Sequence, residues 1–448
     1  MIRLPAGAAF VLARLNQHGF QAYVVGGCVR DSLLGRAPKD WDVCTDALPE
    51  EMQRVFRDQH VIETGLKHGT LTVMYDHEPY EATTFRVDGE YTDHRHPDEV
   101  RFVKDVRDDL SRRDFTINAM AWHPESGIVD AFGGQEDLKA GLIRCVGDPD
   151  QRFGEDALRM MRALRFASVY GFEIEAGTAA AIHRLKHTLA GVAAERIRVE
   201  LAKLLCGRGA GRMLREYRDV IFTILPQLAP MDGFDQRTPF HAYDVWEHTV
   251  RAVENAPANE TLRLTMLLHD SGKPAAFTVD EMGVGHAWGH QRISQDVALE
   301  VLQFLRTDNA TRNRVAQLVE IHDKPLSTDR KLLKRRLNQM GPETLMQLID
   351  VQRADALAKG TTSTEEIEAR IAEIRNALTA LLAENPCVTM KDLAVNGRDL
   401  MSEGIVAGKQ LGETLNWLLA EVLEERLPND RETLLAAARQ RGTETTAP

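Results

Sequence analysis

Asp40 and Asp42 stand two residues apart in Lys39-Asp40-Trp41-Asp42-Val43, and on an extended strand residues two apart project to one face. Carboxylates held side by side repel each other unless a cation lies between them, and hard oxygen donors of this kind suit Mg²⁺. Upstream, Val24-Val25-Gly26-Gly27 reads as a short apolar strand ending in a Gly-Gly turn. Glycines there let the backbone approach an anion closely, and the amides that open the following helix can bond phosphate oxygens. Arg30, about one turn further on, adds a fixed positive fork. A triphosphate next to a metal implies nucleotidyl transfer. Each piece alone has an ordinary meaning, a tight turn or a solvated acid, and the inference rests on their order and spacing.

Those residues need a scaffold. Residues 4–18 read as an amphipathic helix leading into the first strand, a helical stretch closed by Gly35 joins it to the second, and a helix is expected from about Pro49 to Phe56 with Met52 and Val55 inward. Leu71-Thr-Val-Met and Tyr80-Glu-Ala-Thr-Thr-Phe85 alternate like paired strands. Glu81, Thr83 and Phe85 share one face of the latter, which makes Glu81 a candidate third carboxylate. The polar stretch from Asp88 to Val100 lacks periodicity and reads as a loop. Arg112-Arg113-Asp114-Phe-Thr-Ile-Asn118 opens a short helix, where Asp or Asn is ordinarily a cap. Residues 155–170 predict a strong helix with Leu158, Met161 and Leu164 as its buried stripe, and Thr178 to about Leu225 continues helical.

The order and spacing of these motifs resemble those of the class II tRNA nucleotidyltransferase and bacterial poly(A) polymerase family. The resemblance implies an α+β fold: a small mixed-sheet head over 1–145, then an extended, mostly helical body. It divides that body into a neck at 146–225, a domain at 226–358 and a tail at 359–448. It further implies addition of C, C and A to tRNA 3′ ends from CTP and ATP, with Mg²⁺ on Asp40 and Asp42 and the triphosphate held by Gly26, Gly27, Arg30 and Arg113. Asp114, in the motif that ends at Asn118, would accept from a ribose hydroxyl, which is how deoxynucleotides would be refused. In Glu155-Asp156-x-x-Arg159, the Asp156 carboxylate would accept from the exocyclic amine of C or A while Arg159 donates to the ring nitrogen. Arg162 and Arg165 fall progressively further round that helix, so phosphate contacts or helix pairing suit them better than the same base edge. Glu195-Arg196-Ile-Arg-Val-Glu200 is similar to the motif that braces the template helix. In the family, a loop like 88–100 acts as a lever between C and A addition. The tail would embrace the tRNA elbow, and Arg441 to Pro448 should be disordered.

A second chemistry is spaced along the latter half. His248, His269-Asp270-Ser-Gly-Lys273, His290 and His322-Asp323 lie on or beside apolar helical segments such as Leu262 to Leu268. A single histidine on such a face is usually core. The set resembles the HD phosphohydrolase domain, which implies a divalent metal on His248, His269, Asp270 and Asp323, with His290 and His322 extending the site to two metals or contacting phosphate.

Bulk properties set limits. A chain of 448 residues supports about three domains. Its five cysteines include no Cys-x-x-Cys pair, so neither a disulfide framework nor a structural zinc is indicated. No apolar run suits a membrane and no secretory leader is evident, so a cytoplasmic location is expected, with no stable protein partner implied. A net charge of −12 argues against binding polyanions over the whole surface. A local basic track through Arg159, Arg162, Arg165, Arg196, Arg198, Lys203, Arg208, Arg212, Arg215 and Arg218 would concentrate any RNA contacts. Two alternatives stay open: an enzyme that adds only A, and an HD phosphohydrolase whose front half merely binds RNA.

Overall fold

The computed structural model describes residues 2–89 and 100–445; most of the expected loop at 88–100 lies outside them. Two compact units emerge, one of residues up to 229 with 304–307, the other of 230–303 with 308 onward.

The first unit is built on a mixed sheet of seven strands: β1 (Ala22–Val25), β2 (Asp42–Thr45), β3 (Val61–Ile62), β4 (Thr70–Tyr75), β5 (Glu78–Thr84), β6 (Met120–His123) and β7 (Gly127–Asp130), in the spatial order β3-β4-β5-β2-β1-β6-β7. β1 is antiparallel to both its neighbours, and only β2 and β5 run parallel, with Val43 opposite Ala82. Helix α1 (Ala6–Gln17) buries Val11, Leu12 and Leu15 against this sheet. Helix α2 (Gly27–Leu33) starts directly after β1 because Gly26 turns the chain with φ 81° and gives its N–H to the Met120 carbonyl. A side chain there would meet Arg113, whose Nη1 lies 2.9 Å from where a Cβ would sit. The expected helix α3 (Pro49–Val55) and the β4–β5 hairpin form as predicted, with Met52 and Val55 buried. Strand β2 begins at Asp42, so Asp40 lies on the approach to the strand and not within it.

Four further helices complete the site's frame: α4 (Val106–Ser111), α5 (Pro149–Glu155), α6 (Leu158–Tyr170) and α7 (Ala194–Leu205). Leu158, Met161 and Leu164 are buried as the periodicity requires, and α6 packs along α7.

The second unit is helical: α8 (Val245–Asn255), α9 (Glu260–Leu268), α10 (His290–Phe304), α11 (Asn309–Ile321), α12 (Arg330–Lys359) and α13 (Thr364–Ala383), followed by α14 (Gly397–Ser402), α15 (Lys409–Leu423) and α16 (Arg431–Thr445). Asp244, Asn259, Asp308, Asp329 and Ser363 each accept a first-turn N–H, which fixes where α8, α9, α11, α12 and α13 start. Helix α12 breaks at Gly341, where φ is 75°, just ahead of Pro342. The last helices share a core of Leu400, Leu418 and Leu434. Disorder was expected from Arg441, but α16 continues to Thr445. Leu434, Leu435 and Ala438 anchor it, and the Arg441 guanidinium lies 4.7 Å from the centre of the Trp417 ring. No described helix is long and apolar enough to cross a membrane.

Candidate active site

The parallel register of β2 and β5 sets Asp42 level with Glu81. Asp42 is exposed at the start of its strand, ahead of three buried residues. Crowding by protein raises its pKa, the Arg113 charge opposes that, and the negative charges of Glu81 and Asp40 raise it further. All three carboxylates thus share one field, although their oxygens are not all within 4.8 Å of one another. An open, oxygen-only, mutually repelling donor set fits a hard divalent cation.

Arg113, expected at the phosphates, sits over Gly26 and is anchored from below. Fully buried Asp109 accepts from Arg112 at 2.8 and 3.0 Å and from Arg113 at 3.2 Å. Burial alone would raise the Asp109 pKa; the two guanidinium charges outweigh it and hold the carboxyl below its usual range. The sequence reading passed over Asp109, yet its i, i+3 and i, i+4 spacing to the two arginines was a visible signal.

Asp114 is a hub. Oδ1 accepts from the Phe115 N–H at 2.8 Å and Asn118 Nδ2 at 3.0 Å, and Oδ2 accepts from Arg162 Nε at 2.8 Å and Nη2 at 2.6 Å. These four bonds use the acceptor capacity of a carboxylate, so a ribose hydroxyl has to displace one of them. Burial pushes the Asp114 pKa up, but the Arg162 charge and the Asn118 bond carry it well below the ordinary carboxylate range. The chain of contacts continues: Asn118 Oδ1 accepts from Arg30 Nη1, and Arg30 Nε donates to Asp31 at 2.9 Å. Asp31 also accepts from the Tyr170 hydroxyl at 2.8 Å. The Arg30 guanidinium lies 5.0 Å from the Phe166 ring centre and 4.9 Å from that of Tyr170, an aromatic shelf on α6 that the sequence reading missed.

Asp156 occupies the turn between α5 and α6, where Oδ1 accepts the Leu158 N–H at 3.1 Å. Arg196 of α7 grips it with two nitrogens, at 2.7 Å on Oδ2 and 3.3 Å on Oδ1. Arg159 donates to Glu155 at 2.6 Å and to the carbonyls of Arg152 and Arg112 at 3.1 and 3.2 Å. Arg165 donates to buried Glu200 at 2.7 Å, which is helix pairing between α6 and α7. Much of the basic track closes on the protein itself, since Arg208 and Arg212 also turn back to the carbonyls of Tyr170 and Phe172.

The second unit gathers its histidines into one buried cluster. His248 and His269 Nε2 are 3.2 Å apart, each 3.2 Å from Asp270 Oδ2, with Asp355 Oδ1 at 3.1 and 3.7 Å. Across Asp270, Oδ1 lies 3.2 Å from His290 Nε2 and 3.7 Å from His322 Nε2, and those nitrogens are 3.4 Å apart. The outer ring nitrogens of His269, His290 and His322 meet the carbonyls of Met266, Ala287 and Val319 at 2.8, 2.8 and 2.7 Å. A carbonyl only accepts, so Nδ1 carries the hydrogen and the Nε2 lone pairs point into the cluster. Both Asp270 oxygens are buried and neither has a hydrogen bond of good geometry, with Lys273 Nζ standing 2.6 Å from Oδ2. Two overlapping donor sets that share this carboxylate fit a pair of divalent metals.

Asp323 was expected among these ligands and is not brought to them: it is exposed and bonded by Gln291. Asp355 of α12 fills that corner, with Lys359 Nζ at 2.8 Å from its other oxygen. Its signal was an acid set between alanines that the helix buries, Ala354 and Ala358.

The sequence model of the poly A polymerase head domain matches residues 22–144. Models of the second tRNA nucleotidyltransferase domain and of an RNA and SrmB binding site of polymerase A match 290–438 and 171–231. A CCA-adding enzyme of Levilactobacillus brevis is 36% identical over 429 residues, covering 95% of this chain and 96% of the relative. One from Bacillus licheniformis is 33% identical, covering 95% of each chain. The crystal structure of the Bacillus stearothermophilus CCA-adding enzyme in complex with CTP superposes with a TM-score of 0.69 at 29% identity over 98% of both chains. A head with this fold and these relatives along nearly the whole length place the chain in the tRNA nucleotidyltransferase and poly(A) polymerase family, among the CCA-adding enzymes.

Proposed function

We propose that the chain adds C, C and A to tRNA 3′ ends, taking CTP and ATP and releasing pyrophosphate. The observation that carries this function is Asp42 set level with Glu81 and sharing the field of Asp40 and of Arg113, which sits over Gly26, in a chain whose full-length relatives are CCA-adding enzymes.

Asp40 and Asp42, with Glu81 beside them, would hold Mg²⁺, which would supply the positive charge that lowers the pKa of the terminal 3′-OH and offsets the charge of the departing pyrophosphate. The backbone at Gly26 and Gly27, Arg30 and Arg113 hold the triphosphate. Asp156 accepts from the exocyclic amine of C or A, and Arg159 donates to the ring. U and G present a carbonyl where that amine stands, so buried acceptors would face each other unpaired and those bases are refused. Arg196 keeps the Asp156 carboxylate fixed for this task. For Asp114 to receive a ribose hydroxyl, Arg162 gives up Oδ2, and Glu200 Oε1, 3.9 Å away, offers its guanidinium a second carboxylate. The head spans 1–145, the neck with its protein template 146–225, the metal-cluster body 226–358 and the tRNA-binding tail 359–448, and the cytoplasm is the location these substrates imply.

The test is to incubate the protein with tRNAs lacking zero, one, two or three 3′ nucleotides, each with labelled CTP or ATP. Sequential incorporation of C, C and A is expected, and loss of all incorporation in the Asp40→Ala, Asp42→Ala double variant. Extension of only the tRNA that already ends in CC would instead mark an enzyme that adds A alone.

The buried cluster of the second unit favours a second activity in the same chain, hydrolysis of a phosphoester. His248, His269, Asp270 and Asp355 would hold one divalent metal and Asp270, His290 and His322 another, and such a pair would supply positive charge for an in-line displacement at phosphorus.

A further inference from the structure

Asp114 holds four hydrogen bonds, and a ribose 2′-OH joins it only when one donor leaves. Of those donors, the Arg162 guanidinium is the one with a second carboxylate beside it among the described residues: the nitrogen that does not serve Asp114, Nη1, stands 3.9 Å from Glu200 Oε1. We infer that Glu200 is a positioning residue for sugar selection, the seat that Arg162 takes up when a ribose hydroxyl takes its place on Asp114. The inference rests on Asp114 as the ribose acceptor and names the residue that makes that acceptor available.

Two of the donors are fixed. The Phe115 N–H belongs to the backbone of a fully buried residue, and Asn118 is held at its other end, where Oδ1 accepts from Arg30 Nη1. Moving either would leave a buried donor unmatched. Arg162 differs. Its side chain keeps 34% exposure, so water can follow it. Its guanidinium lies 5.4 Å from the centre of the Phe166 ring, a face along which a flat cation can slide and keep its contact. Glu200 is prepared to receive it. The carboxylate is buried on α7, and Arg165 Nε donates to its Oε2 at 2.7 Å, with the Arg165 guanidinium 3.7 Å from the same ring centre. Oε1 is left on the Arg162 side. A shift of about 1 Å turns the 3.9 Å approach into a charge-assisted bond of ordinary length. The number of ion pairs is then conserved, since one carboxylate receives the sugar as the other receives the cation. With a deoxynucleotide nothing displaces Arg162, Asp114 stays engaged with the protein, and the sugar gains no bond. Sugar selection becomes a choice between two seats for one guanidinium.

The test measures KM and kcat for addition of the first C to tRNA lacking its three 3′ nucleotides, with CTP and with dCTP. In Glu200→Gln the seat loses its charge, so KM for CTP should rise about tenfold, the scale of one charge-assisted bond at a guanidinium that water also reaches. KM for dCTP should stay as in the parent, and the preference for CTP should fall by the same factor. Placed on Arg162→Ala, where no guanidinium has to move, Glu200→Gln should leave that preference unaltered. A Glu200 that merely braces α6 against α7 would act on both sugars alike, so an equal rise for CTP and dCTP, or an undiminished preference for CTP, overturns the inference. Glu200→Asp keeps the charge but draws it back by one methylene, and it should weaken CTP alone. It carries the test if Glu200→Gln does not fold, and an equal effect on both sugars again overturns the inference. Asp114→Ala tells apart the two levels of failure. Loss of the sugar preference there, with none in Glu200→Gln, refutes the Glu200 seat and leaves Asp114 as the ribose acceptor, whereas a preference that survives Asp114→Ala refutes both.

Discussion

Asp114→Asn tests the hub that joins Arg162 of α6 through Asn118 to Arg30 of α2. The substitution keeps the shape but places an amide N–H₂ where an oxygen accepts either from Arg162 or from Asn118, so donors face donors on one side. The lost fork is charge-assisted, with bonds of 2.6 and 2.8 Å, and breaking such a pair at a buried site costs several kcal/mol. Arg162 retains 34% exposure and has Glu200 in reach, which discounts the loss to about 2–3 kcal/mol. For a unit of this size that lowers its melting temperature by about 4–12 °C. The pH dependence has a definite sign. The carboxyl is held well below its ordinary range in the folded chain, so its contribution is complete above the unfolded pKa of about 3.9. It is lost as pH falls from there toward the folded value. The gap in stability between parent and variant should therefore be constant from pH 5 to 8 and close on acidification below about pH 4. Because the far end of the network is Arg30, KM for CTP and ATP should rise by the same factor. Thermal unfolding across pH and steady-state incorporation assays read both effects. A variant that melts with the parent at neutral pH, or a gap that does not close in acid, refutes the hub.

Three other perturbations follow from the same geometry. Arg196→Ala removes the two-nitrogen grip on Asp156, and competition between CTP and UTP should show discrimination falling by about tenfold, near the value of one charge-assisted bond. Tyr170→Phe deletes the hydroxyl that bonds Asp31 at 2.8 Å and keeps the ring under Arg30; KM for both nucleotides should rise about threefold with kcat preserved, the scale of one ordinary hydrogen bond. Asp355→Ala should lose bound metal when the reconstituted full-length protein is assayed for metal content, whereas Asp323→Ala should retain it.

The head was legible because its chemistry is local. Gly26, Arg30, Asp40 and Asp42 fall within seventeen residues, and the alternation around Glu81 fixed its face before its partner strand was known. What sequence spacing could not supply was the partner of each charged group. Arg162 and Asp114 are 48 residues apart and Arg196 and Asp156 are 40 apart, distances at which no helical or strand period applies. The two His-Asp pairs show the same limit. His269-Asp270 and His322-Asp323 look alike as text, and both histidines turn inward, but Asp270 is 1% exposed while Asp323 faces water beside Gln291. The flanks differ: Asp270 is followed by buried Ser271 and Lys273, whereas Asp323 precedes Lys324-Pro325 at the end of its helix. The fourth donor beside His248, His269 and Asp270 is Asp355, which arrives from another helix, and only packing could reveal it.

The two acidic devices in this chain solve opposite problems. In the head the carboxylates stay in reach of solvent, and crowding by protein together with the charges of Glu81 and Asp40 raises the Asp42 pKa against the pull of Arg113, so a divalent cation there would relieve the repulsion while staying open to exchange with solvent. In the second unit His248, His269 and Asp270 are at most 1% exposed, and three rings have their tautomers set by backbone carbonyls. Imidazole donors favour transition metals over Mg²⁺, and burial at that depth makes exchange slow because the carboxylate and rings would be left facing one another without a cation. Two donor sets this different would keep their ions apart within one chain, since donor type separates them before affinity does.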